Sequence, residues 1–340
     1  MQKELVNTVD LLDSKGRPAR PGWARKPLWR YNRTDIKAAR YRIKEWDYYC
    51  ILSQNRGISL TVSDMGYMGF IGLTILDFEQ KQETSRSIIT PFPMGRWKLP
   101  QTSASGEVSV TRKRVHLVFS TSSGTRTLRF SWKNFLPAKD LSGEIILVEE
   151  KNSDSITVAT PFPGTPHAFY YNQKINCLKA EGSFIFGGKK TVFSGGDSFG
   201  VLDWGRGVWT YENRWYWGSA SGRAGGKPFG FNIGYGFGDL STHSENALFY
   251  NGKLHKLNRI KFDIPESSYL LPWHFSDNEG RFEMDFTPIL DRASKTDLLF
   301  LKSDQHQVFG RFSGKAVLDD GTALEIHNLI GFAEKVFNRW

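Results

Sequence analysis

The stretch from Asp203 to Asn246 decides the fold, and from residue 229 to residue 239 it reads Phe-Gly-Phe-Asn-Ile-Gly-Tyr-Gly-Phe-Gly-Asp. Between Phe229 and Phe237 every odd position is large and apolar or aromatic, while the even positions hold only glycine and Asn232. Successive side chains of a β-strand point to opposite faces. The segment is therefore predicted to be a strand with one bulky face and one bare face. A bare face lets a ligand, or the side chains of a neighbouring strand, come close.

The preceding segment, Asp203-Trp-Gly-Arg-Gly-Val-Trp-Thr-Tyr-Glu-Asn-Arg-Trp-Tyr-Trp-Gly, supplies large aromatic side chains. In a strand, Trp215 and Trp217 share one face and Tyr216 lies on the other. The two segments together predict an aromatic-lined wall with a cavity beside Trp215, Trp217, Asn232 and Asp203. A leucine at Gly234 would fill that cavity if the space is open, and would overpack the core if another strand's backbone lies there.

Short apolar runs separated by Gly, Pro, Ser and Asn turns continue along the chain, and such spacing is typical of all-β sandwiches and barrels. Asn251-Gly252 and Asp319-Asp320-Gly321-Thr322 are predicted hairpin turns. Helix is expected at most near residues 34–41 and 290–293. We predict an all-β protein with two antiparallel β-barrel-like domains packed against each other. Its parts are an N-terminal arm over residues 1–45, a first domain over 46–175 and a second over 176–340.

The arm is strongly basic. Of the 45 Lys and Arg residues, eleven lie between Lys15 and Glu45, where there are only two acidic residues. Trp23, Trp29, Tyr31 and Tyr41 lie among them. Such a segment binds nucleic acid or an anionic membrane surface, or it lies across the protein with its aromatic side chains docked. We predict docking and no nucleic-acid partner, with transient membrane-surface contact as an alternative role for the arm.

Several classes of function lack their sequence pattern. The two cysteines have no zinc spacing, and we find no phosphate-binding loop, nucleophile elbow or histidine cluster. Calcium at Asp239, Ser241 and Glu245 does not match a strong loop signature. We therefore expect neither a metal nor another cofactor. No apolar run reaches the length of a membrane span, and the N-terminus lacks the apolar core of a signal peptide, so a cytoplasmic location is expected.

Four motifs carry a family resemblance: Asp203-Trp-Gly-Arg-Gly, Trp215-Tyr-Trp-Gly, Phe231-Asn-Ile-Gly-Tyr-Gly, and Leu318-Asp-Asp-Gly followed by Gly331-Phe-Ala-Glu334. Over residues 25–340 the chain resembles a bacterial family known only as a domain of unknown function. That family is distantly similar to carotenoid 1,2-hydratase, tocopherol cyclase and fungal Diels–Alderases. The resemblance implies tandem lipocalin-like barrels that hold a large apolar substrate between them and act on it by acid–base chemistry. The hydratases are associated with His and Asp pairs, and no His lies beside Asp203.

Asp203 is the main candidate for chemistry, with Glu212 as a second carboxylate. Desolvation in an aromatic cavity favours the protonated form of a carboxyl group, as a general acid requires. Alternatively, Asp203 has a structural role: it contacts Arg206 or the backbone and stabilises a turn at Gly205 and Gly207. We favour this alternative, because Asp and Arg so close in sequence usually pair.

The candidate ligand-binding residues come from two parts of the chain. The aromatic wall supplies Trp204, Arg206, Trp209, Trp215, Trp217, Asn232 and Tyr235. The segment after Thr160-Pro-Phe-Pro163, a tetrapeptide that also occurs at residues 90–93, supplies His167, Tyr171 and Lys174. The second group would line the cleft between the domains if that segment crosses the domain junction.

The expected function is binding of a bulky hydrophobic small molecule of isoprenoid or lipid type. Hydration, cyclisation or isomerisation of that molecule by metal-free acid–base catalysis would make the protein a lyase or isomerase. A non-catalytic lipid carrier or sensor, and a carbohydrate-binding β-protein, are the alternatives. Neither the ligand nor the oligomeric state follows from the sequence.

Overall fold

A computed structural model describes residues 2–298 and 301–339. Within those residues the chain forms two 3₁₀ turns, Arg33–Asp35 and Arg40–Arg42, and the following strands in order: β1 (Val9–Asp10), β2 (Gly22–Ala24), β3 (Trp29–Arg30), β4 (Ile43–Leu52), β5 (Arg56–Asp64), β6 (Met68–Asp77), β7 (Gln82–Pro91), β8 (Gly106–Arg112), β9 (Val115–Ser122), β10 (Thr125–Leu136), β11 (Lys139–Val148), β12 (Ile156–Phe162), β13 (Thr165–Phe186), β14 (Lys189–Phe193), β15 (Phe199–Val208), β16 (Glu212–Ala224), β17 (Lys227–Tyr235), β18 (Ala247–Tyr250), β19 (Lys253–Lys256), β20 (Ile260–Asp263), β21 (Trp273–Asp277), β22 (Phe282–Leu298), β23 (Leu301–Val317) and β24 (Ala323–Arg339).

Two curled antiparallel sheets make up the body of the protein. The first sheet follows the order β7-β6-β5-β4-β15-β13-β11-β10-β9-β8, with β12 and β14 paired to β13 and β2 paired to β12. The second follows the order β19-β18-β17-β16-β24-β23-β22-β21-β20. Alternation in the sequence produces these strands. In β10, for example, Leu128, Phe130 and Trp132 are buried while Arg129 and Ser131 between them are exposed. The predicted all-β fold class with two barrel-like domains is confirmed.

Three groups of buried apolar side chains stabilise this arrangement. One fills the concave side of the first sheet and another fills that of the second. The third lies between the two sheets and includes Trp46, Tyr48, Tyr170, Trp217 and Phe332. The two barrels are therefore joined by an aromatic interface, which determines where a site between them can form.

The chain passes from the first sheet to the second between Val208 and Glu212, because β15 pairs with β4 and β13 whereas β16 pairs with β17 and β24. The sequence placed the boundary near residue 175, which lies inside the 22-residue strand β13. The pairing of β13 with β15 shifts register between Ile175 and Leu178. A bulge of this kind bends a strand, so one long strand serves the first domain on both sides of the predicted boundary.

The bulge also explains the bare face of β17. Asn176 lies in this bulge of β13, and its side-chain amide donates hydrogen bonds to the Ser219 hydroxyl (2.9 Å) and to the Phe231 carbonyl (3.0 Å). A Cβ atom at Gly230 would lie 2.8 Å from the Sγ of Cys177. On the opposite, bulky face of β17, Phe229, Phe231 and Ile233 are fully buried in the second barrel. The glycine face therefore lets a strand of the first domain approach.

The N-terminal arm is docked by its aromatic side chains, since Trp23, Trp29 and Tyr31 are all buried. Strand β2 pairs with β12 of the first sheet. Arg25 joins the two barrels, because its guanidinium contacts Asp154 (3.3 Å) and donates to the Leu254 carbonyl (2.6 Å). The first part of the arm therefore contributes to the domain interface.

The weak helix prediction at residues 290–293 is wrong. These residues lie in β22, where Leu290 pairs with Phe309 and Asp291 pairs with Val308 of β23. Cross-strand pairing therefore overrides a weak local preference. In the described parts of the chain, no helix has the length and apolarity required to cross a membrane.

Candidate functional site

Ionisable side chains meet between the two sheets, and the group formed by Lys174, Asp203, Trp215, Trp217, Asn232, Glu245 and Glu334 is called the inter-sheet cluster below. Lys174 on β13 lies opposite Asp203 on β15 in the antiparallel register. Directly paired residues project to the same face of a sheet, which here is the face that meets the second domain. Trp217 on β16 is likewise paired with Glu334 on β24.

A buried ion pair forms the centre of the inter-sheet cluster. Lys174 Nζ lies 2.8 Å from Asp203 Oδ1, and the Asn172 amide donates to the same oxygen (2.6 Å). The ammonium group also donates to the Tyr170 hydroxyl (3.2 Å) and lies 4.3 Å from the ring centroid of Trp217. Only 3% of the Lys174 side chain and 13% of the Asp203 side chain are exposed. The two charges therefore depend on each other, since neither is well solvated.

Glu334 is a second acid, and both of its carboxyl oxygens are occupied. The Trp215 indole donates to Oε1 (2.8 Å), and the Gln307 amide donates to Oε2 (3.1 Å). The Tyr48 hydroxyl in turn donates to Gln307 Oε1 (3.3 Å). Burial raises the pKa of Glu334 to about 7, against the lowering effects of the Trp215 hydrogen bond and of the nearby Arg292 charge. This carboxyl group therefore exchanges its proton near neutral pH.

Glu245 reaches the cluster from the loop after β17, with Oε2 3.9 Å from Lys174 Nζ. Burial raises its pKa, and the charge of Lys174 opposes that shift. Asn232 fixes this loop, because its amide donates to the Glu245 carbonyl (2.9 Å) while its Oδ1 accepts from the Trp217 indole (2.7 Å). His243 anchors the same loop through its 2.9 Å hydrogen bond to the Thr160 hydroxyl. Burial lowers the pKa of His243 to about 4, so the ring is neutral at physiological pH.

An aromatic wall surrounds these polar groups. The ring centroid of Trp209 lies 5.3 Å from that of Trp46, 5.9 Å from that of Trp215 and 5.0 Å from that of Phe237. Trp46, Trp209, Tyr170 and Phe237 each remain 7–9% exposed, whereas the barrel cores contain many side chains at 0%. These four side chains are therefore slightly less buried than those of the barrel cores.

The structure brings together part of the predicted site. Asp203, Lys174, Trp215, Trp217 and Asn232 are members of the inter-sheet cluster, and Trp209 belongs to the surrounding wall. Glu212 and His167 are exposed. Tyr235 is half-buried and stacks on Tyr216 at 4.6 Å, on the side of the second barrel that faces Phe262.

Trp204, Arg206 and Tyr171 point into the first barrel, because they alternate along their strands with residues of the inter-sheet face. Arg206 is fully buried and pairs with Asp47 (3.1 Å), so the favoured contact between Asp203 and Arg206 does not form. Gly205 and Gly207 lie within β15 and not in a turn. The cation that pairs with Asp203 is Lys174, from the neighbouring strand.

Tyr171 instead lines a surface pocket of about 500 Å³ at the rim of the first barrel, together with Trp29, Tyr31 and Gln101. The carboxylates at this rim are engaged, since Asp10 pairs with Arg30 (2.8 Å) and Asp35 accepts from Asn32 (3.4 Å). Their environment contrasts with that of the inter-sheet acids, where burial raises the pKa values of Glu245 and Glu334. We therefore place the candidate site between the sheets.

The space expected beside Gly234 is occupied. A Cβ atom there would lie 2.7 Å from the carbonyl oxygen of Tyr216 and 3.0 Å from Oε1 of Glu245. Gly234→Leu should therefore lower the free energy of unfolding by about 1–3 kcal/mol or more through overpacking. Thermal unfolding checks this, with Gly196→Leu as the control, because a Cβ at Gly196 meets no atom within 4 Å. Equal melting temperatures for the two variants would contradict the prediction.

The sequence pattern did not single out Glu334 or Glu245 as candidate acids. Glu334 occurs in a family motif, and Glu245 occurs only in the weak match to a calcium loop. One signal was available for Glu334: it continues the alternation of Ile330 and Phe332 along β24, so it puts a carboxyl group on an apolar face. In the described residues, no group of three or more His, Cys, Asp or Glu side chains has an arrangement that could hold a metal ion.

Comparison with solved structures identifies the fold. The chain matches the crystal structure of a protein described as an AttH from Nitrosomonas europaea, with a TM-score of 0.53, 13% identity, and coverage of 90% of this chain and 96% of that one. It also matches kievitone hydratase from Nectria haematococca, with a TM-score of 0.49, 13% identity, and coverage of 87% and 88%. The first match supports the predicted tandem lipocalin-like fold.

Among curated proteins, no sequence matches this chain. The model of one family, described as a domain of unknown function (DUF2804), matches residues 2–340. Because this match spans nearly the whole chain, the protein belongs to the DUF2804 family, as its motifs predicted.

Proposed function

We propose that this protein binds a bulky apolar small molecule of isoprenoid or lipid type between its two sheets, and that Glu334 acts on it as a general acid. The observation that carries this proposal is a buried carboxyl group whose pKa is raised to about 7 at the edge of an aromatic wall. Sites for such molecules are mainly apolar and contain a few convergent polar groups. The inter-sheet cluster has this composition.

The geometry supports a proton transfer without a metal. A group with a pKa near the working pH both gives and takes a proton efficiently. Glu334 would donate its proton to a carbon–carbon double bond, whose electron pair forms the new C–H bond and leaves a cationic carbon. The Glu334 carboxylate left by this transfer and the ring face of Trp215 would stabilise that positive charge. Return of a proton from a neighbouring carbon to the Glu334 carboxylate gives isomerisation. Attack of a second double bond on the cationic carbon forms a ring, and the new cation then loses a proton to the same carboxylate. Capture of water, followed by loss of its extra proton to that carboxylate, gives hydration.

Two alternatives use the same fold differently. A carrier or sensor would hold the ligand in the inter-sheet cluster without proton transfer, so it shares the binding half of the proposal. A carbohydrate-binding protein would present tryptophan rings on its surface. Trp204, Trp209 and Trp217 are each no more than 7% exposed, which favours an apolar ligand over a sugar.

Binding can be tested with the apolar fluorescent probe N-phenyl-1-naphthylamine and with native mass spectrometry of protein purified from its own host. Trp215→Leu should weaken probe binding by at least about tenfold, because it removes one wall of the cluster. Trp97→Leu is the matched control, since Trp97 is also half-buried but lies in the loop between β7 and β8 and packs against the first barrel. Equal probe affinities for wild type and Trp215→Leu would overturn the proposed location.

Catalysis can be tested with the hydrophobic molecule that is recovered from the purified protein. Glu334→Gln preserves the shape of the side chain but removes its acid. It should keep probe binding and lower the rate of conversion by about 100-fold or more. Retention of the wild-type rate in Glu334→Gln would exclude Glu334 as the acid. No conversion by either protein would support the carrier alternative.

A further inference from the structure

The repeated tetrapeptide Thr-Pro-Phe-Pro occupies two different environments. In the second copy, Phe162 is buried at the domain interface, with its ring centroid 5.1 Å from that of Phe237. In the first copy, Phe92 is 54% exposed. The backbone of Phe92 is also in the left-handed region, with φ of 45°. A non-glycine residue there is strained by about 1 kcal/mol or more. An exposed and strained aromatic residue gains little from folding, which points to a contact outside the chain.

Phe92 lies in a basic apolar patch at one end of the first barrel. Three nearby segments, residues 36–44, 86–98 and 111–118, contain no Asp or Glu. The exposed apolar members of the patch are Tyr41 (54%), Ile89 (64%) and Phe92. Its exposed cations are Lys37, Arg40, Arg96, Lys98, Lys113 and Arg114.

Backbone contacts join these segments into one surface. The loop around Gly66 connects segments 36–44 and 86–98. The Gly66 carbonyl accepts a hydrogen bond from the Met94 N–H (3.2 Å), and Gly66 lies so close to the Tyr41 carbonyl that a Cβ atom there would collide with it. The hairpin that carries Lys113 and Arg114 is held alongside, since Arg112 Nε donates to the Thr90 hydroxyl (3.4 Å).

One buried acid, Asp64, supports this surface from below. Asp64 lies beneath it, fully buried, and its carboxylate accepts hydrogen bonds from the N–H groups of Gly66 (2.9 Å) and Gly95 (2.6 Å). These bonds fix the two loops from below, so the apolar side chains are presented on a supported surface. The first part of the arm differs, because its Arg17, Arg25 and Arg30 are paired with acids.

We propose that the basic apolar patch docks the protein on an anionic lipid membrane surface. Cations near such a surface contribute about 1 kcal/mol each, and exposed aromatic and aliphatic side chains insert at the headgroup level. Ile89 favours lipid over nucleic acid, because an isoleucine side chain has no ring on which a base could stack. This inference concerns a different surface from the inter-sheet cluster and does not depend on the proposed catalysis.

The test is co-sedimentation of the full chain with phosphatidylcholine vesicles that contain about 30% phosphatidylserine, and with vesicles of phosphatidylcholine alone. We expect binding to the anionic vesicles only. The double variant Arg96→Glu/Lys98→Glu should lower the partition coefficient by at least about tenfold. Phe92→Ser should lower it several-fold through the lost insertion of the ring.

Matched controls lie on β14, where Lys189, Lys190 and the 64%-exposed Val192 are also on the surface of the first domain. Lys189→Glu/Lys190→Glu and Val192→Ser should bind the anionic vesicles like wild type. The proposal is overturned if wild type does not sediment with anionic vesicles, or if the β14 variants lose as much binding as the patch variants. It is also overturned if single-stranded RNA binds through the patch while vesicles do not. Circular dichroism confirms that each variant is folded.

Discussion

Lys174→Met should lower the free energy of unfolding by about 3–5 kcal/mol, because it leaves the buried carboxylate of Asp203 without its cation. In the native protein Lys174 Nζ lies 2.8 Å from Asp203 Oδ1 and 3.9 Å from Glu245 Oε2. Methionine fills a similar volume, so the loss should arise from electrostatics rather than from a cavity. Chemical denaturation at neutral pH measures the effect.

Two further variants make this result specific. Lys179 pairs with Glu150 at 2.6 Å, but both side chains are more than a third exposed. Lys179→Met should therefore cost less than about 1 kcal/mol. The double variant Lys174→Met/Asp203→Asn should recover much of the stability, because neither buried charge remains. A loss for Lys174→Met no greater than that for Lys179→Met would show that the ion pair is not a structural requirement.

Titration of Glu334 alone should lower the free energy of unfolding of the wild-type protein by about 3 kcal/mol as the pH rises from below 4.5 to above 7. The pKa of Glu334 is raised from its ordinary value of 4.5 to about 7 by burial, so the folded state binds more protons than the unfolded state in this interval. Stability therefore decreases with rising pH. The contribution is fully present below the unfolded pKa and is lost as the pH passes through the folded pKa.

Glu334→Gln isolates this contribution, because glutamine stays neutral at every pH and can still accept the Trp215 hydrogen bond. The difference in unfolding free energy between wild type and Glu334→Gln should change across this pH interval, and the other titrating groups should largely cancel. Burial also raises the pKa of Glu245, so part of the slope should remain in the variant. A pH-independent difference would show that Glu334 titrates normally in the folded protein.

Local features of the sequence determined the fold class and the hairpins. The alternation from Phe229 to Tyr235 has period two, which a strand places on two faces, and β17 ends at Tyr235. Asn251 and Gly252 both adopt positive φ angles, of 47° and 78°, as the predicted two-residue turn requires. Turn chemistry and alternation act between residues that are close in the chain, so both could be predicted without knowledge of the sheet order.

The domain boundary and the occupant of the glycine face depended on distant parts of the chain. The bare face of β17 predicted that another group packs closely against this strand. It did not predict that this group consists of Asn176 and Cys177 of the first domain. Those residues reach β17 because a bulge bends β13. Whether a bulge forms, and which strands then pair beyond it, depends on the whole sheet.

The candidate site was predictable only in part. The sequence by itself determined that an aromatic wall and a few polar side chains, among them Lys174, Asp203 and Asn232, occur in the strands around the domain junction. Only the tertiary structure decided which acids are desolvated and which cations face them. Trp215 and Glu334 are 119 residues apart, and Tyr48 and Gln307 are 259 residues apart. Burial and charge pairing depend on neighbours in space, so the raised pKa of Glu334 follows from the packing of the two sheets.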